Sequence, residues 1–412
     1  MAPFILPLIA LLVIIVVVVA ALVAFGVFKS GTGAQQTTIA PQTTTINASA
    51  NTTTNTTTAA TTTVVQSSGS LGAWQQTTRL PFANTSSYTC AAENGYVYCM
   101  GGIAVANNAS LTGYWNYNVT YAQLTSSGIG PWHNTTQIPY AFALSACIAR
   151  TGMLICAGGL NKTGSLNIGS EYSQLVAEAP INPDGSLGTW TEWPLLYTAE
   201  GVNNCVAGTN ANYCIGAQGT YAASRGGPSN VTFSFSSAGS TVLSEPYPFN
   251  ATDTNCFTAP GSSVIFCTDQ LVGVMLPKYP YGVASNASFY GIVSSNGASI
   301  SWYNTTAFPD EPALVPITCA TSPTGGGDYN IYCIAPDSVY PTNKSAVHFG
   351  TVTSSGLSQW YNTTSYPLGN AVPESCVTSG GYIYCIGTSP ASASSMLFGN
   401  ESNLTFYAPI KP

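Results

Sequence analysis

From residue 71 onward the chain alternates apolar and polar positions in short runs. VTYAQL (119–124), VTFSF (231–235), SFYGIV (288–293) and AVHFGTV (346–352) place hydrophobic side chains at every second position, the period of a half-buried strand. After each run comes a turn of Ser, Gly or Asp, and then a further strand marked by a tryptophan at Trp74, Trp132, Trp190, Trp302 or Trp360. These strands are polar, as in GAWQQTTRLP, GPWHNTTQIP and SQWYNTTSYP. One of the six intervals lacks the tryptophan and keeps only SEPYPF at 244–249. Upstream the pattern changes twice. Residues 4–28 are 25 uncharged, mostly apolar residues, about 37 Å long as a helix and sufficient to span a bilayer core. Residues 30–70 are dominated by Thr with Ala, Ser, Gln and Asn, and carry no charge. They offer little apolar surface to offset ordering entropy, and so predict an extended stalk.

Cysteines keep the same phase as the strands. They form six pairs, Cys90/Cys99, Cys147/Cys156, Cys205/Cys214, Cys256/Cys267, Cys319/Cys333 and Cys376/Cys385, whose first members are 57, 58, 51, 63 and 57 residues apart. Each unit reads as four strands. The first holds the leading cysteine, the second is aromatic and holds the trailing one, the third alternates, and the fourth carries the tryptophan. Six four-stranded units predict an all-β fold, a six-bladed β-propeller. The expected organisation is a transmembrane anchor over 1–29, a Thr/Ser/Asn-rich stalk over 30–70 and the propeller over 71–412. A lone Trp strand at 72–80 opens the folded part, and the chain stops at LTFYAPI with no Trp strand after it. The strand at 72–80 is therefore expected to complete the last blade, which leaves no sheet edge open at the seam.

Strands such as YVYCMGG and MLICAGG, followed later by a Trp strand leading to Leu-Pro or Ile-Pro, resemble kelch-type repeats across 71–412. The double glycine is complete at Gly101-Gly102 and Gly158-Gly159 and replaced in the other four units. The resemblance implies a partner-binding face formed by the loops between second and third strands and between one unit and the next. Here the former include 103–118, 218–230 and 269–286, with Tyr114, Trp115, Tyr221, Tyr279 and Tyr281 as candidate binding residues. Exposed Tyr and Trp amid Ser, Gly and Asn suit contact with a protein or a glycan. Packing of the same rings onto the blades is the equal alternative.

The turn chemistry predicts how the cysteines pair. With Asn94-Gly95 as a two-residue type I′ turn, Glu93 faces Tyr96 and, three pairs further, Cys90 faces Cys99. That pair is non-hydrogen-bonded, with Cα atoms about 4.5 Å apart, within reach of a disulfide. The same counting applies to Thr151-Gly152, Thr209-Asn210 and Gly380-Gly381. The role expected of each disulfide is to staple its own blade. Six disulfides imply an oxidising compartment. The expected localisation is a single-pass cell-membrane protein with the propeller outside. Lys29, on the far side of the apolar segment, votes weakly for the opposite orientation.

Only 6% of residues are charged, and the net charge is −7. Eight Lys and Arg residues cannot form a basic stripe, so nucleic acid is excluded as a partner. With two histidines, His133 and His348, on different units, neither a metal nor a cofactor is expected. Asn-x-Ser/Thr sequons recur in phase: Asn134, Asn304 and Asn362 two residues after the Trp, and Asn118, Asn230, Asn286 and Asn403 at the start of the third strand. Both positions are expected to face solvent and to carry glycans. No catalytic constellation is legible. Arg79, Arg150 and Arg225 sit in unlike parts of the repeat, and NPDGSLGTW (182–190) reads as the local form of the turn before the Trp. The expected function is a surface binding, adhesion or envelope-structural module. The alternative is a glycan-acting enzyme using Asp253, Asp269, Asp310, Asp337 and Glu200, which requires those carboxylates to converge.

Overall fold

The computed structural model describes residues 68–82, 85–107, 112–140, 145–159, 173–196, 205–215, 230–248, 251–272, 283–309, 317–336, 345–369, 371–390 and 402–412. All belong to one compact unit, Val64–Pro412. The apolar segment 4–28 and the stalk expected over 30–70, except its last three residues, lie outside the described residues. Among the described residues no helix is long and apolar enough to cross a membrane.

Six antiparallel four-stranded blades form a propeller. Blade 1 runs from Thr89–Glu93 through Tyr96–Met100 and Val119–Thr125 to an outer strand in two pieces, Gly128–Ile129 and His133–Asn134. Blade 2 comprises Ala146–Arg150, Met153–Ala157, Val176–Pro180 and Thr191–Glu192, and blade 3 Cys205–Ala207, Asn212–Ile215, Thr232–Ser236 and Gly239–Val242. Blade 4 is built from Ala251–Phe257, Val264–Val272, Ser288–Val293 and Ile300–Asn304. Blade 5 uses Thr318–Gly325, Asp328–Ala335, Ala346–Thr353 and a split outer strand, Gly356–Leu357 and Tyr361–Asn362. Blade 6 consists of Ser375–Ser379, Tyr382–Pro390, Ser402–Pro409 and, from the other end of the chain, Gln75–Gln76. The innermost strands neighbour one another around a closed ring.

The seam closes as the order of strands predicts. Gln75 lies opposite Tyr407 and Gln76 opposite Phe406. Main-chain hydrogen bonds extend the pairing on both sides, from Gly69 N to Lys411 O at 2.8 Å down to Leu80 N to Asn403 O at 3.0 Å. The tryptophans sit slightly differently from expectation. Trp74, Trp132, Trp190 and Trp360 stand just before the short outer strand, and only Trp302 lies within one.

Alternation along the strands sends successive side chains to opposite neighbours, so the core divides into six clusters, one between each pair of adjacent blades. Val97 and Cys99 face blade 6, whereas Tyr98 between them faces blade 2. The same split recurs in blade 6, where Ile383 and Cys385 face blade 5 and Tyr384 faces blade 1.

Two glycines show why the segment after the first hairpin is not a plain loop. Gly101 and Gly102 adopt φ of 71° and 88°, a region that favours glycine. A Cβ on Gly102 would lie 2.5 Å from the Ser86 carbonyl oxygen. The sharp bend lets Ile103–Asn107 and Thr112–Trp115 form a hairpin, with Thr85–Ser86 as its third strand.

Candidate functional site

All six cysteine pairs lie at disulfide distance, with Cα separations of 4.1 to 4.2 Å, and no described cysteine is free. Asn94 and Gly95 have φ of 53° and 80°, and Thr151-Gly152 and Gly380-Gly381 share the positive-φ pattern of a type I′ turn. Thr209-Asn210 does not. Lacking glycine, this turn stays out of the left-handed region, yet Gly208 N still donates to Ala211 O and Cys205 still meets Cys214.

Each disulfide joins the first two strands of its own blade, and its burial gives it a second place in the core. The trailing cysteines Cys99, Cys156, Cys214, Cys267, Cys333 and Cys385 are completely buried, each 0% exposed, so none of these positions is open to a ligand or a reactant. Their side chains leave the hairpin and enter the apolar cluster shared with the preceding blade. Cys156 packs against blade 1, where its Sγ lies 3.4 Å from Met100 Sδ. Cys267 packs against blade 3 beside Tyr213 and Ile215, and Cys333 against blade 4 beside Phe266. Cys99, Cys214 and Cys385 do the same toward blades 6, 2 and 5. The physical reason is the strand period, which turns every second side chain toward the same neighbour. Each disulfide is therefore a core element between blades as well as a staple within one.

The residue before the trailing cysteine faces the following blade and is tyrosine in four units. Tyr384 Oη donates to Thr125 O at 2.8 Å, Tyr213 Oη to Gly297 O at 3.1 Å, and Tyr332 Oη to Gly69 O at 2.8 Å. Burial pushes the Tyr332 and Tyr384 phenols up to about 12. Tyr98 occupies the same place, and burial raises its phenol too, but its hydroxyl is enclosed without a hydrogen-bond partner. From these positions aromatic rings run outward across the blade. Tyr98 stacks on Tyr121, which meets His133, and Tyr332 stacks on Phe349, which meets Tyr361. Tyr303 stacks on Tyr290 in blade 4. Each row ends one residue before a rim asparagine: Asn134, Asn362 or Asn304.

A second repeated device lies on this outer rim. The two threonines after the rim asparagine grip both polar main-chain groups of one residue on the next blade. Leu187 N donates to Thr135 Oγ1 at 2.8 Å, and Thr136 Oγ1 donates to Leu187 O at 2.9 Å. Thr305 and Thr306 hold Leu357 in the same way, and Thr363 and Thr364 hold Leu71. Thr77 and Thr78, which follow Gln76 in place of an asparagine, hold Ile129. Tryptophan from the gripped blade completes three of these contacts, donating Nε1 to the carbonyl of Thr136, Thr306 or Thr364. Blade 2 has Trp193-Pro194 and blade 3 has Leu243-Ser244 where the others carry the threonines, so this grip is missing on either side of blade 3.

The sequons expected to face solvent divide into two groups. Asn134, Asn304 and Asn362 are exposed, as expected, and so is Asn118. Asn230, Asn286 and Asn403 are half-buried, which departs from expectation. Asn286 Nδ2 donates to Phe308 O at 3.3 Å and Asn403 Nδ2 to Leu80 O at 3.0 Å. The hydroxyl-bearing residues of the third-strand sequons, Thr120, Thr232, Ser288 and Thr405, are buried. The third strand is covered on one side by the outer strand and packed between blades on its faces, so two residues into it the chain is already inside.

Several candidate binding and catalytic residues fall in or beside residues that are not described. Tyr221, Tyr279, Tyr281, Arg225, Asp310, Asp337 and Glu200 lie outside the described residues. Tyr114 sits opposite Ala104 in the extra hairpin. Trp115, opposite Ile103, is half-buried with its indole nitrogen enclosed. Asp253 and Asp269 are on the paired inner strands of blade 4, opposite Leu271 and Thr254. Charged groups at the hairpin ends are tied into the ring. Arg150 Nη1 donates to Gly208 O at 2.9 Å and Asn212 Oδ1 at 3.2 Å, and Glu93 Oε1 accepts from Gly152 N at 3.3 Å. Asp184, exposed in the turn of 182–190, accepts from Ser186 Oγ at 2.7 Å, and these hydrogen bonds hold its carboxyl below the usual range. His133 is exposed and His348 is buried on another blade. Among the described residues no group of three His, Cys, Asp or Glu side chains could hold a metal.

No family model matches the chain, and no curated protein does. Among solved structures it is similar to that of YjhT, with a TM-score of 0.54 and 12% identity over 79% of this chain and 94% of that one. At this identity the likeness establishes the propeller fold alone.

Proposed function

We propose that this chain is a cell-surface binding, adhesion or envelope-structural module: a kelch-type propeller, tethered by its N-terminal apolar segment, held outside the cell on a Thr-rich stalk and flanked by glycans. Its partner is another surface protein or a glycan. The observation that carries this reading is where the scarce charged groups go. Arg150, Glu93 and Asp184 are each committed to hydrogen bonds that join blades or brace a turn. Such side chains hold a scaffold rigid for loops to present, which is the division of labour of a binding module. The six disulfides support an oxidising exterior.

A glycan array probed with the detergent-solubilised full chain, together with a pull-down from surface proteins, tests the binding role. Selective retention of one glycan class or one surface protein is expected. Release of free sugar from the arrayed glycans, with no retained partner, would overturn it in favour of an enzyme. External protease acting on intact cells tests the orientation, and should remove the propeller while leaving the apolar segment behind.

A further inference from the structure

The rim asparagines raise a question of timing. In Asn134-Thr135-Thr136, Asn304-Thr305-Thr306 and Asn362-Thr363-Thr364 the asparagine is exposed and open to a glycan. The hydroxyl that makes each tripeptide a sequon is nonetheless occupied. Thr136, Thr306 and Thr364 donate to the carbonyls of Leu187, Leu357 and Leu71 at 2.9, 2.9 and 2.8 Å. The middle threonine accepts the N–H of the same leucine at 2.8, 2.8 and 2.7 Å. The main-chain carbonyl of the third residue is held as well, by Trp190, Trp360 or Trp74. A glycosyl-transferring enzyme reads the sequon through that hydroxyl, and must bend the tripeptide out of its strand to reach the amide. In the closed ring neither is available.

We infer that Asn134, Asn304 and Asn362 are modified before the following blade docks, so that blade closure ends the period in which these sites accept a glycan. This inference rests on the glycan-flanked reading above. The transfer joins the asparagine Nδ2 to C1 of a sugar supplied as a lipid-linked phosphate ester. The C1–O bond to phosphate breaks, phosphate leaves with the bonding electrons, and one amide proton passes to a base of the transferring enzyme. Afterwards the threonines are free to grip the next blade while the glycan projects from the exposed asparagine. Blade 6 shows that the grip itself does not depend on an asparagine, because Gln76-Thr77-Thr78 makes the same contacts to Ile129 at 2.8 and 2.6 Å.

The test uses the full chain made without glycans and offered to a purified oligosaccharide-transferring enzyme with its lipid-linked donor. One sample is natively folded, and the other is reduced and alkylated so that it stays unfolded. Site occupancy is read by glycopeptide mass spectrometry. Asn134, Asn304 and Asn362 should be modified in the unfolded chain and at least about tenfold more slowly in the folded one, where transfer must wait for local opening. Asn47, Asn51 and Asn55, which precede the propeller in the sequence, report that the enzyme is active on both samples. Gln76→Asn builds a fourth rim sequon with Thr77 and Thr78, and should follow the same rule. Equal rates in the folded and unfolded chains would overturn the timing and leave the glycan flank standing. Failure of the rim sites in both samples, with Asn47 modified, would overturn the glycan flank and the timing together.

Discussion

Tyr384 and Thr125 join the last blade to the first: the phenol Oη donates to the threonine carbonyl oxygen at 2.8 Å. Replacing that phenol removes a buried bond, so Tyr384→Phe should cost about 1 kcal/mol and strand the carbonyl. Tyr98 sits at the same repeat position with its hydroxyl buried and unpartnered, so Tyr98→Phe should be neutral or stabilising. Denaturant unfolding of both variants checks the contrast. Equal effects would mean that the bond to Thr125 contributes nothing.

The rim threonines offer a second contrast. Thr136→Val keeps shape and deletes the hydroxyl that holds Leu187. A loss of about 1 kcal/mol is expected. Blade 3 has no such grip and is held at its hairpin end by Arg150, which bonds Gly208 and Asn212. Arg150→Met should cost about 2 kcal/mol, the scale of a bond to a charged donor. It should also speed amide exchange in Asn212–Ile215 and Thr232–Ser236 ahead of any other blade. Uniform acceleration around the ring would contradict a locally weak blade.

Each disulfide closes a short hairpin, so losing one should be damaging but survivable. Cys205→Ala combined with Cys214→Ala should lower stability by about 2 to 3 kcal/mol, with part of the loss arising from the vacated place between blades 2 and 3. Alkylation of the intact protein should require prior reduction. Circular dichroism and denaturant melts report the first effect, and mass spectrometry the second.

Alkali should unfold the protein before acid does. Burial raises the phenols of Tyr332 and Tyr384 from 10 to about 12 in the folded state. Their contribution is complete below pH 10 and disappears as the pH rises through about 12, because the unfolded chain gives up those protons first. Asp184 works in the opposite sense. Its lowered value stabilises above the ordinary carboxylate range and is lost as the pH falls through it. With only 15 Asp and Glu residues in the chain, the acid side should be the shallower. Melting temperatures from pH 2 to 12 test this, and a steep acid collapse with a flat alkaline limb would refute it.

Much of the architecture is legible in the sequence because strand pairing is local. The Asn94-Gly95 turn determines which residues face each other, and counting outward from it reaches Cys90 and Cys99. The lone strand before Leu80 and the missing strand after Ile410 point to the seam. Contacts between blades are harder to read, since nothing in a single repeat says what its neighbour will present. Counting pairs Cys147 with Cys156, but does not say that Cys156 meets Met100 of the blade before it. The threonines after Asn134, Asn304 and Asn362 read as parts of sequons and no more. Thr77 and Thr78 hold the missing signal, because they keep the pair where no sequon exists. Likewise IAVAN at 103–107 has the alternation of a strand, but its place after Gly101-Gly102 suggests a loop.

The pairing of Gln75 with Tyr407 also sets an order in time. Strands within blades 1 to 5 find their partners nearby in the chain, so those hairpins can form as they are made. The outer strand of blade 6 is synthesised first and waits for a partner 332 positions away. Closing so long a span is the slow, entropy-limited kind of contact. Until Ser402–Pro409 appears, Gln75–Gln76 has no sheet to join, and the circle becomes a circle only at the end.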